Sequence, residues 1–183
     1  MDLRLVLDSE RISATRLEQV YQALHAQPGF ASRLVSEARR ADDDRIPRLT
    51  WLLLRFARRG GAIPEEDLRR LVDAADGFTA WAARHHVCQL FEIVPCPEVC
   101  ADTLFSFLSE CVRDHRGITR AWALSAMERF RDRPDYAAEV TEAFRTMRID
   151  GSKAVRARLR LLKDRQERRR RAAQKAAKRA ISI

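Results

Sequence analysis

Apolar residues recur along nearly the whole chain at intervals of three and four, the spacing that lines one face of an α-helix. Stretches alternating at period two are short and lack the turn residues that would join them into hairpins, so the pattern predicts an all-α fold. Breaks fall at Gln27-Pro28-Gly29, Ala41 to Asp44, Gly60-Gly61, Asp76-Gly77, Pro95-Cys96-Pro97, His115-Arg116-Gly117, Asp132-Arg133-Pro134 and Asp150-Gly151. Each segment between them is one helix long, which predicts helices over 10–26, 30–40, 45–59, 64–75, 79–94, 97–113, 117–131, 134–148 and 153–178. Proline followed by acids marks three of the starts, at Pro64-Glu65-Glu66-Asp67, Pro97-Glu98 and Pro134-Asp135. There proline loses no hydrogen bond and the carboxylates meet the positive end of the helix dipole.

The helices repeat. Aligning on Trp51, Trp81 and Trp122 gives unequal units, but Arg48, Arg84, Arg120 and Arg156 are each separated by 36 residues without insertion or deletion. The neighbours then fall into apolar columns: Trp51, Val87, Ala123 and Leu159 three positions on, Leu54, Leu90, Ala126 and Leu162 six positions on. The preceding helix supplies Leu68/Leu104/Val140, Leu71/Phe107/Ala143 and Val72/Leu108/Phe144. Six positions before the arginines stand Asp42, Phe78, Asp114 and Asp150. A helix pair of this size cannot hide its apolar face alone, so units must stack and the ends need caps. Ile12, Leu17, Val20, Tyr21 and Leu24 suit the first helix to that capping role.

Two antiparallel helices per unit, a 36-residue period and an aspartate six residues before an arginine resemble the HEAT repeat family, most clearly in "DHRGITRAWALSAM" (114–127) and "DGSKAVRARL" (150–159). The resemblance implies a right-handed α-solenoid of about four helix pairs over residues 1–165, with a cap at 1–27 and repeats at about 28–60, 61–95, 96–132 and 133–165, followed by a tail at 166–183. It implies that first helices line the convex side and second helices the concave side. It further implies a ladder between units from Asp42, Arg48, Asp114, Arg120, Asp150 and Arg156. This chain departs from the family pattern at Phe78, and at Pro47, Ala83 and Thr119, where the family favours valine, as at Val155. Lacking an aspartate partner, Arg84 is expected to be the freest arginine of the column. The paired arginines would have few donors left for a ligand such as phosphate.

Charge refines the picture. The formal net charge is +9, but from Arg156 onward there are 12 bases against two acids, leaving 23 bases and 24 acids before it. A near-neutral body thus carries a cationic end, with Lys163, Arg165, Arg168, Arg169, Arg170, Arg171, Lys175, Lys178 and Arg179 as candidates for nucleic-acid binding. The cations are spread around the helix without large aromatics, which disfavours membrane insertion and base stacking. No apolar run approaches the roughly 18 residues of a membrane span, and Met1 to Glu10 is unlike a signal peptide. The expectation is a cytoplasmic protein whose four cysteines remain thiols.

Candidate chemistry is sparse. His85, His86, Cys88, Cys96, Cys100 and Cys111 are metal-ligand types, but "HHVC" followed by "CPEVC" lacks the paired spacing of structural zinc sites, so neither metal nor cofactor is expected. Cys111 and His115 stand one turn apart, with no orienting group or oxyanion hole suggested beside them. The scaffold also resembles the DNA alkylation repair glycosylases, which would give Trp81 and Trp122 stacking roles, though no catalytic residue can be matched. The expected function is a non-catalytic scaffold that binds a protein or peptide on its concave face through Arg84, His85, Trp122, Arg129, Arg131 and Arg158. A nucleic-acid adaptor using the basic end is the alternative.

Overall fold

The computed structural model describes residues 12–181, with side chains described as far as Lys175. Met1 to Arg11, including the first two residues of the predicted helix 10–26, lie outside the described residues, as do the side chains of Lys178 and Arg179.

Among the described residues the protein is all-helical, without a strand. Helix α1 (Ala14–Leu24) is capped by Ser13, whose Oγ accepts from the Arg16 N–H at 3.1 Å, and buries Leu17, Val20, Tyr21 and Leu24. It lies against α3 (Ile46–Arg58), where Arg55 grips Glu18 with two bonds of 2.9 Å. Between them comes α2 (Phe30–Ala38). Helix α3 ends at Arg59 and turns out through Gly60 at φ +84, a conformation glycine adopts without a Cβ penalty. Then follow α4 (Glu65–Ala75), opened by Pro64 and its three acids, and α5 (Trp81–Ile93).

A short 3₁₀ turn (Glu98–Cys100) leads into α6 (Ala101–Cys111). Helix α7 (Gly117–Met127) tightens into another 3₁₀ turn (Glu128–Phe130) before α8 (Pro134–Met147) and the long α9 (Lys153–Ile181).

The packing has two rows. Helix α3 packs on α5, α5 on α7 and α7 on α9, while α2 packs on α4 and α4 on α6. One apolar cluster runs through the body from Leu17 to Leu162. Leu54, Leu90, Ala126 and Leu162 are all buried within it, on α3, α5, α7 and α9 in turn. Hydrogen bonds cross between residues about one period apart: Thr50 Oγ1 with His86 Nδ1 at 3.0 Å, Ser32 to Asp67 at 2.5 Å, Tyr136 to Asp102 at 2.5 Å, and Thr79 to Asp43.

The arginine column meets the backbone more consistently than it meets the aspartates. Arg120 Nη1 donates to the Asp114 carbonyl at 2.7 Å, Arg84 Nη1 to the equivalent Phe78 carbonyl at 3.4 Å, and Arg156 Nη1 to the Gly151 carbonyl at 2.8 Å. Arg120 also makes a bidentate pair with Asp150, at 2.8 and 3.1 Å. Asp114 instead accepts from the Arg116 N–H at 2.7 Å. For Asp42 the structure gives backbone bonds from Arg45 and Ile46.

Beyond Leu162, the last buried side chain, every described side chain of α9 is exposed apart from half-buried Gln166. The body reaches this stretch through Glu92 with Arg165 and Glu128 with Gln166, and the helix continues unbroken because Ala, Arg, Lys and Gln form helix well on their own.

Candidate partner-binding face

On α5, Trp81, His85 and Gln89 are spaced four apart and so share one side of the helix. Trp122 of α7 and Arg158 of α9 continue this line across the row. The Arg158 guanidinium lies 3.6 Å from the centre of the Trp122 ring. The Trp122 edge meets His85 at 6.3 Å between centroids and 80° between planes, and His85 meets Trp81 at 6.1 Å. The Arg116 guanidinium lies 5.0 Å over Trp81, which is 43% exposed. The result is an aromatic stripe with a cation stacked at each end, a geometry in which ring quadrupole and guanidinium attract.

His85 is fixed by its neighbours. Arg58 Nη2 donates to Gln89 Oε1 at 2.8 Å, and a guanidinium can only donate, so the Gln89 amide nitrogen must face the other way. It lies 2.8 Å from His85 Nε2, which therefore accepts, placing the ring proton on Nδ1. Burial, with Arg58 and Arg158 nearby, lowers the His85 pKa and keeps the ring neutral. Its Nδ1 is buried with no hydrogen-bond partner among the described residues. Beside it, His86 is pushed down to about 4, first by burial and then by His85.

The six expected contact residues do not form one surface. His85, Trp122 and Arg158 come together as described. Arg129 sits farther along the row, donating to the Glu92 carbonyl at 3.0 Å, near the Arg165–Glu92 ion pair. Arg131 turns toward α8, pairing with Glu128 at 2.7 Å and stacking 4.5 Å over Phe144. Arg84, expected to be free, is not: it is mostly buried between the rows, paired with Glu110 at 3.0 Å and lying 4.9 Å over Phe107. The aspartate missing at Phe78 is replaced by a glutamate from α6, which the column alignment did not consider.

Sequence reasoning missed Gln89, Arg58 and Arg116. One signal was present: Thr50, His86, Trp122 and Arg158 stand 36 apart, and the first and last neighbours of that column touch in pairs.

The other constellations stay apart or inert. Among the described residues no three His, Cys, Asp or Glu side chains are grouped as a metal site. The four cysteines are free thiols. Cys96 and Cys100 both donate to the Pro97 carbonyl, at 3.3 and 3.4 Å, and burial pushes Cys96 up to about 12. Cys111 is lowered by hydrogen bonding from buried Cys88 and by the Arg84 guanidinium, while His115 lies beside Asp114 and Arg116. The thiol and imidazole are thus engaged elsewhere. Arg165, Arg168, Arg169, Arg170, Arg171 and Lys175 are exposed along α9, with Lys163 at its edge toward α8.

No family model, no curated protein and no solved structure matches this chain.

Proposed function

We propose that the chain is a HEAT-type α-solenoid scaffold, four helix pairs behind a capping helix, that binds an acidic segment of a partner protein across the row α3, α5, α7 and α9. The observation carrying this reading is the Trp81–His85–Trp122 stripe with Arg116 and Arg158 stacked at its ends. Tryptophan and arginine are the residues most often found at energetic centres of protein interfaces, and the two cations favour carboxylates in the ligand. Each indole already has a guanidinium over it, which argues against the base stacking of a repair glycosylase. The two-row packing and the hydrogen bonds one period apart support the solenoid part of the reading.

The test begins with partners cross-linked to the full chain, each then purified and titrated against it. Trp122→Ala should weaken the genuine partner by about 2 kcal/mol or more, near thirtyfold, with a shallow salt dependence. A partner bound equally by Trp122→Ala and Arg158→Glu refutes this face. The second reading rests on the exposed bases of α9, which present a cationic helix suited to phosphate. Deleting residues 168–183 should abolish nucleic-acid affinity and leave the fold cooperative, because Leu162 is the last buried side chain.

A further inference from the structure

A second surface lies away from the stripe. Residues of α8 and α9 line a groove of about 770 Å³. Phe144 and Leu159 form its floor, both only partly buried. Helix α8 is amphipathic, with Tyr136, Val140, Ala143, Phe144 and Met147 along one side, yet Val140 is its sole buried residue. Of that side, Phe144 lines the groove, while Tyr136, Ala143 and Met147 pack partly buried against the core.

The walls are cationic. Five basic side chains and no carboxylate line the groove. Arg131 is paired with Glu128 and Arg145 with Glu142, but Arg148, Arg160 and Lys163 form no ion pair among the described residues and are exposed. An apolar floor between unpaired cations calls for a ligand with the reverse arrangement, an apolar ridge flanked by carboxylates. The groove runs between two helices, one of them about 21 Å long at 1.5 Å per residue over 14 residues. Nucleic acid fits less well, because its phosphates would leave the apolar floor wet.

We infer that this groove docks an acidic amphipathic helix of a partner protein, seated on Phe144 and Leu159 and held by Arg148, Arg160 and Lys163. The site is separate from the stripe, since none of its lining residues belongs to the stripe, and either can fail alone.

The probe is a fluorescent synthetic peptide of about four turns with leucines at i, i+3, i+4 and i+7 and glutamates on the flanks, titrated by anisotropy against the full chain. It should bind saturably, and the Arg148→Glu/Arg160→Glu variant should bind at least about tenfold more weakly. Both positions are exposed, so the variant's circular dichroism melt should match the parent. Trp122→Ala should bind the peptide as the parent does. Any of four results would overturn the inference: no binding, equal binding of a scrambled peptide of the same composition, displacement of the peptide by an oligonucleotide from the same three bases, or concentration-dependent self-association removed by the charge reversal. The last would make a second copy the occupant.

Discussion

Asp150 shows how a single residue of the ladder makes stability depend on pH. The Arg120 guanidinium, with the Ser152 N–H, holds its carboxyl below the usual aspartate value, while burial opposes them. With a folded value below the unfolded value of about 3.9, its contribution is present above about pH 4 and is lost as pH falls through the folded value. In denaturant unfolding against pH, Asp150→Asn should be less stable than the parent near neutrality and should lose that difference at the acid end. His86 works in the other direction. Its folded value of about 4 lies below the unfolded value of about 6.5, so protonation opposes folding. Its effect is absent above about pH 7, destabilises progressively from about 6.5 to 4 and is constant below that. An NMR titration should show the His86 ring still neutral at pH 5, and His86→Gln should flatten that part of the stability profile. The sequence revealed the arginine column but not what it holds. Spacing to Asp42, Asp114 and Asp150 suggests side-chain pairs; Arg120 makes one with Asp150, and Arg84, Arg120 and Arg156 also share a grip on carbonyl oxygens, which every residue type supplies. A phenylalanine at position 78 therefore breaks no contact of that kind.

Element boundaries followed local chemistry closely where proline, acids or glycine marked them, as at Pro64, Pro134 and Gly60. They were less legible where a helix tightens. Pro97-Glu98 opens a 3₁₀ turn before α6, and Glu128–Phe130 continues α7 in the same form, a change of hydrogen bonding that apolar spacing does not register. The start of α7 depends on contact with the next unit. A Cβ built on Gly117 would lie 2.6 Å from Ser152 Cβ, so Gly117→Ala forces backbone at the α7–α9 contact to move. The expected cost is about 1–3 kcal/mol, and Ser152→Gly in the same chain should recover most of it, as a double-mutant cycle by chemical denaturation would report. Helix α8, with one buried residue, is the least anchored element of the body. Its amides should exchange with solvent before those of α5 and α7 in hydrogen-exchange mass spectrometry.

At the scale of the whole molecule, one apolar column of the 36-residue period, Leu54, Leu90, Ala126 and Leu162, is buried throughout, while Trp51, Leu159, Ala143 and Phe144 of the other columns are only partly covered. The period could not predict the stripe, because Trp81 lies outside the Trp122 column and Arg116 reaches it from the turn before α7. Nor could it foresee the groove between α8 and α9, since the apolar spacing alone does not say how fully Phe144 and Leu159 are covered. Among the described residues, side-chain hydrogen bonds between separate helices link residues 26 to 38 positions apart, from Arg84–Glu110 to Gln166–Glu128, while Arg165–Glu92 reaches across 73. In the proposed solenoid, contacts between neighbours let folding nucleate at any adjoining pair of hairpins and spread from there, including along a nascent chain whose later residues have not yet been made.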